Sequence, residues 1–214
     1  MNRRSLVLGG LAPLALSACA VNGPPPTSPG GSDPRFPVAG GGGAAPAGGA
    51  PAPAYTRDEL IRAGSNTLGV TAEALGGAVE RIARDQGQEP TAYIAGEEGS
   101  GAVGLGLRYG RGLLYMKGGQ APSEVFWQGP TVGWDWGGNA ARVFTLCYGL
   151  YYPDAIFRRY PGVEGTAYLV GGLGVNYQAA DGIVLAPIRA GVGLRLGANV
   201  GYLAYSRQRN ILPF

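Results

Sequence analysis

The sequence predicts a mainly β domain with helices: a small, closed, soluble β-barrel of about nine or ten strands. An N-terminal amphipathic helix is expected to pack on it or cap it. Three observations carry this reading. The hydrophobic period is helical before Pro90 and two after it. Past that point Val103, Leu105, Leu107 and Tyr109 alternate with Gly104, Gly106 and Arg108, and Ala190, Val192, Leu194 and Leu196 alternate with Arg189, Gly191, Gly193 and Arg195. Turn signals recur between short apolar runs, at Gly110-Arg111-Gly112, Lys117-Gly118-Gly119, Gln128-Gly129-Pro130, Gly137-Gly138-Asn139 and Ala180-Asp181-Gly182. Many short strands with regular turns favour a barrel over an open sheet.

The chain begins with export signals. Arg3 and Arg4 precede an apolar run over residues 6–16, too short to span a bilayer, so residues 1–18 read as a signal peptide. Leu16-Ser17-Ala18-Cys19 matches the bacterial lipobox, which places an acylated Cys19 at the new N-terminus. Ala18-Cys19-Ala20 also fits the small-x-small rule of a soluble cleavage site, so soluble secretion stays open. The paired arginines resemble a twin-arginine signal as well. With Ala20 after the cysteine, the expected address is the periplasmic side of the outer membrane. Residues 19–54 are Pro, Gly, Ala and Ser with almost no apolar bulk. Such a tract buries too little surface to repay ordering and is expected to be a disordered tether reaching roughly 30 Å.

The domain is expected over residues 55–214. Thr56-Arg57-Asp58-Glu59 has the spacing of a capping box, and a short helix should follow to about Ala63. A second helix should begin after Thr71 and end at Gly87, with Leu75, Val79 and Ile82 on one face and Glu80 and Arg84 paired on the other. Gly76-Gly77 costs about 2 kcal/mol in an isolated helix, and close packing on a sheet is the expected compensation. In the strands, repeated glycine needs a similar reason. Strong coiling of a small barrel, or close approach of another element, supplies one.

Composition narrows the chemistry. There is no histidine, which excludes Ser-His-Asp and Cys-His nucleophiles and His-based zinc sites. Net charge is +3, and losing Arg3 and Arg4 leaves +1, with no basic cluster to hold nucleic acid. No cofactor and no metal site is expected. If Cys19 is acylated, Cys147 has no disulfide partner, and within VFTLCYGL it reads as a small buried hydrophobe.

The acidic candidates are few. Glu97 and Glu98 lie in Gly96-Glu97-Glu98-Gly99, a glycine turn whose carboxylates would point to opposite faces if it were extended. Asp135 sits between Trp134 and Trp136, where the indoles would desolvate it and raise its pKa. Asp154, Arg158, Arg159 and Glu164 surround Pro161-Gly162-Val163. Arg108 and Arg195 stand among glycines and are expected to pair with acids among Glu98, Asp135 and Glu164. Trp127, Trp134, Asp135 and Trp136 form the candidate contact surface, because indoles beside a carboxylate suit a glycan or a lipid headgroup. Filling the barrel is the competing role for the same tryptophans.

The runs AYIAGEEGSGAVGLGLRYGRG, FWQGPTVGWDWG, FRRYPGVEGTAYLVGGLGVNY and APIRAGVGLRLGANVGYL resemble the envelope integrity protein A family of Gram-negative bacteria, over residues 56–214. The resemblance implies a small soluble β-barrel with helices, exported to the periplasm, needed for envelope integrity and with no established enzymatic activity. The family's signal peptide is of the soluble kind, from which the lipobox and long tether here depart. A fainter likeness, in glycine spacing from Gly171 onward, is to the lipid-binding SYLF domains. The function expected is a non-catalytic periplasmic protein that supports the envelope by binding one of its components, a lipid or glycan. Two alternatives stand beside it. One is an integral outer-membrane barrel, prompted by aromatic strands and the terminal Phe214. The other is an enzyme using Asp135 with Glu97 or Glu98 on an envelope glycan.

Overall fold

The computed structural model describes residues 53–163, 166–190 and 201–210, without side chains at 100–105 and 131–140. The signal peptide, Cys19 and most of the tether lie outside these residues, as do Glu164, Arg195 and Phe214. The backbone of Trp134, Asp135 and Trp136 is described as strand and their side chains are not.

Two helices open the domain. In α1 (Arg57–Leu68) the capping box forms: Glu59 N–H donates to the Thr56 hydroxyl, and Thr56 N–H donates to the Glu59 carboxylate at 2.9 Å. The helix runs past the predicted stop at Ala63 to a left-handed cap at Gly69. Gly64 does not break it, because the residue is a contact point. A Cβ there would sit 2.5 Å from Leu75 and 2.9 Å from the Phe144 ring. Helix α2 (Ala72–Gln86) runs from the Thr71 cap to Gly87, as its pattern predicts. Its Gly76 and Gly77 are not tightly packed. A Cβ at Gly77 would lie 3.6 Å from Val170 and one at Gly76 3.8 Å from Ile61, both ordinary contacts.

Among the described residues eight strands follow in one sheet: β1 (Ala92–Met116), β2 (Ser123–Tyr148), β3 (Arg159–Pro161), β4 (Tyr168–Val170), β5 (Leu173–Val175), β6 (Gln178–Ala180), β7 (Ile183–Ala190) and β8 (Tyr202–Ser206). A 3₁₀ turn, Pro153–Ile156, separates β2 from β3. β1 and β2 run straight through the glycines at 110–112, 128–130 and 137–139, which have the composition of turns. The tripeptides at 117–119 and 180–182 do fall at turns, with Gly119 and Gly182 at φ 76°.

β1 and β2 form an antiparallel ribbon with a register break between Ser100 and Ala102. The ribbon folds back on itself. Lys117 N–H donates to the Thr91 carbonyl at 3.1 Å, and the Tyr93 and Tyr115 rings stack at 4.8 Å. The two ends of β1 therefore lie side by side. The first part of β2 pairs with β8 and the last part with β7.

The sheet is a half-barrel and not the closed barrel that the sequence predicts. Among the described residues, β3 meets β6 through one bridge, Gly162↔Gln178. Strands of three residues have too few backbone groups to continue a ladder across that seam.

Side chains alternate across β2 and divide the core. Phe144, Leu146 and Tyr148 join Leu75, Val79 and Ile82 of α2 in a cluster between helices and sheet. Val143 and Cys147 face the other way, into a second cluster with Ile94, Leu114, Trp127, Leu185 and Tyr205. The helices thus cover one face of the sheet, and the second cluster fills its concave side. Cys147 is buried and free, and burial pushes its thiol well above the ordinary range, so it packs as a neutral apolar group.

Candidate functional site

The glycine-and-arginine face of β1 turns inward. Trp127, only 2% exposed, lies across it. A Cβ on Gly110 would come within 2.0 Å of the indole, and one on Gly96 within 2.9 Å. Gly96 and Gly112 also bring the two ends of β1 together, since a Cβ on Gly112 would lie 2.6 Å from the Ala95 carbonyl oxygen. Glycine at these positions makes room for one large ring and for a folded ribbon.

The indole N–H is held by a buried acid. Trp127 Nε1 donates to Glu98 Oε2 at 2.8 Å. The other carboxylate oxygen, Oε1, receives Arg189 Nε at 3.1 Å and lies 3.4 Å from Arg108 Nε. Arg189 in turn donates to the Asn176 side-chain oxygen. Burial alone would raise the Glu98 pKa. The guanidiniums of Arg189 and Arg108, with the indole N–H, outweigh burial and hold it below the usual carboxylate range. Glu98 is therefore an anion with its lone pairs engaged, not a carboxylic acid with a proton to give.

Glu97, one residue earlier, points to solvent and pairs with Arg111 at 2.7 Å. The two glutamates do face opposite ways, but from within strand β1 and not from a turn. Glu97 and Arg111 form part of the wall of an open groove of about 400 Å³ whose lining includes Gly96 and Gly112. Thr67 of α1, Ala95, Leu113, Glu124 and Arg142 complete it. Groove and ion network thus lie on opposite sides of one thin, glycine-rich ribbon.

Glu98 and Arg108, both named from sequence, are brought together. Trp127 is spent inside the half-barrel, away from any exposed contact surface. Trp134 and Asp135 pair with Val103 and Ala102 near the fold of the ribbon, their side chains outside the described set. Glu164, Arg195 and Cys19 lie outside the described residues altogether. Around the 3₁₀ turn, Asp154 pairs with Arg207 at 2.7 Å and Arg158 with Asp181 at 2.6 Å. Sequence reasoning missed Arg189 as the second cation on Glu98. The signal was available, because Arg189 shares the glycine-rich alternation that singles out Arg195. Asn176 had none, since a lone Asn in Gly174-Val175-Asn176-Tyr177 gives no hint of an arginine partner. Among the described residues no group of three His, Cys, Asp or Glu is placed to hold a metal ion.

These features define a class: a β-rich half-barrel with two helices against one face and a buried ion network on the other. A family model described as envelope integrity protein A matches residues 53–214, and the chain belongs to that family. It is similar to the crystal structure of a beta-barrel-like, uncharacterized protein from Brucella abortus, at 44% identity and a TM-score of 0.68, over 76% of this chain and 100% of that one. No curated protein matches the chain. The family's name ties the protein to envelope integrity. Among the described residues no helix is long and apolar enough to cross a membrane.

Proposed function

We propose that this is a non-catalytic periplasmic protein that supports the envelope by binding one of its components, held at the outer membrane by an acylated Cys19. The observation that carries the reading is the state of Glu98. It is the most buried carboxylate described, and two arginines and an indole hold it ionised. A general acid needs a raised pKa and access to substrate, and Glu98 has neither. The chain instead offers surface: the groove with Glu97, Arg111, Glu124 and Arg142 on its rim, and the Trp134, Asp135 and Trp136 segment further along the same ribbon. Helices lying over one face of the sheet also favour an aqueous domain over an integral barrel, whose outer face must meet lipid.

The test is complementation of a deletion strain challenged with detergent or a cell-wall antibiotic. Wild type should restore resistance. Trp134→Ala with Asp135→Ala, or Arg111→Ala with Arg142→Ala, should fail at equal abundance and equal melting temperature. Full rescue by both double variants would remove this ribbon as the contact surface.

A further inference from the structure

We propose that β3 and β8 form a leaf that opens away from β6 while the rest of the fold stays in place, uncovering the thiol of Cys147. This device does not depend on the binding function proposed above. Among the described residues the leaf is tied to the rest of the sheet along two edges. β8 pairs with β2 at Phe126↔Ser206, Trp127↔Tyr205 and Gln128↔Ala204, and β3 meets β6 at the single Gly162↔Gln178 bridge. By contrast, β2 and β7 pair without a break from Arg142↔Ala190 to Tyr148↔Val184. The two strands of the leaf hold each other, Arg159–Pro161 against residues 202–204. Two further bonds cross the seam. Val163 N–H donates to the Tyr177 carbonyl at 3.0 Å, and Arg158 pairs at 2.6 Å with Asp181, in the turn between β6 and β7. The Asp181 side chain is 77% exposed, so solvent screens this ion pair and it is a weak latch.

Closure leaves polar atoms unsatisfied. Gln178 Oε1 on one side of the seam and Arg158 Nε on the other are buried and have no hydrogen-bond partner among the described residues. Closed, each atom bears the cost of desolvation; open, water satisfies both. Against opening stands the apolar area of Tyr160, Leu203 and Tyr205 on the inner side of the leaf. The open form is thus a minor state, reached by a local opening of the kind that leaves a separate core intact. The helix-side cluster contains no residue of β3 or β8, so it has no part in that opening. Cys147 lies beneath the leaf, in the same cluster as Tyr160 and Tyr205. Burial raises the pKa of both phenols and the Cys147 thiol adds to each shift, which puts the thiol beside both rings.

The test is the rate at which N-ethylmaleimide labels Cys147 in the full-length chain carrying Cys19→Ser, followed as urea is raised. The control chain carries Cys147→Ala and Val175→Cys as well, which moves the reporter into the helix-side cluster. Without urea, Cys147 should react at least about tenfold faster than the control. Its rate should also depend more weakly on urea, because opening a leaf exposes less surface than unfolding the domain. Arg158→Gln should speed the labelling of Cys147 about two- to fivefold, the worth of an exposed ion pair. Ile82→Val, which weakens the helix-side cluster, should speed the control about two- to tenfold and leave Cys147 within about twofold of its former rate. Equal rates and equal urea dependence at the two thiols would mean that Cys147 is reached only by global unfolding, and would overturn the proposal. So would an unchanged Cys147 rate in Arg158→Gln.

Discussion

Val143 and Phe144 are neighbours in β2, yet they face two interiors built on different principles. Phe144 looks toward the helices, into a cluster of Leu, Val, Ile, Ala and ring carbons. That interior is held by apolar area, worth about 25 cal/mol per Å² buried, and tolerates small changes of shape. Val143 looks into the half-barrel, where Trp127 lies on bare glycine and a carboxylate sits between two arginines. That interior depends on a few exact contacts. The difference teaches where the chain is brittle and where it has slack.

The largest effect should come from the acid. Glu98→Ala leaves Arg108 and Arg189 without their shared counter-charge and Trp127 without its acceptor. Breaking a buried pair in this way costs about 3–5 kcal/mol. Thermal or urea unfolding at pH 7 should show a loss of that size. A loss below about 1 kcal/mol would mean that the inner face is no more demanding than the outer one.

The next effect compares glycines. Gly110→Ala drives a methyl group into the Trp127 indole, and overpacking of this kind costs about 1–3 kcal/mol. Gly77→Ala, on the helix side, meets Val170 at an ordinary distance and should stabilise by up to about 1 kcal/mol through helix propensity. Opposite signs for the same substitution on the two sides would sharpen the comparison. Equal signs would break it. Melting curves of the two variants side by side decide the matter.

Those glycines also show what the sequence makes legible. The capping box at Thr56, the helix ending at Gly87 and a strand through the period-two run at 103–109 follow from local rules, and they form as read. The pairing of Glu98 with Arg108 was accessible because a charge among glycines has nowhere else to go. Strand length was not. Gly110-Arg111-Gly112 carries the composition of a turn, and only the indole of Trp127, distant in sequence, explains why it is strand instead. Close packing is expected at Gly76-Gly77 and is found instead at Gly64, for the same reason. A glycine's neighbour across the fold leaves no mark beside it in the chain. The partial closure of the sheet is equally hidden, because it turns on one bridge between Gly162 and Gln178.

On the function proposed above, the buried carboxylate of Glu98 serves the fold and not a reaction. The most direct measurement replaces Glu98 with Gln in a chain also carrying Gly76→Ala and Gly77→Ala to offset lost stability, and expresses it in the deletion strain at wild-type abundance. Survival under detergent is then compared with wild type. The account predicts resistance restored, since glutamine keeps an acceptor for the indole N–H and the outer surface is untouched. Sensitivity equal to that of the deletion strain, with the protein folded and present at equal level, would contradict it and make Glu98 a participant in chemistry.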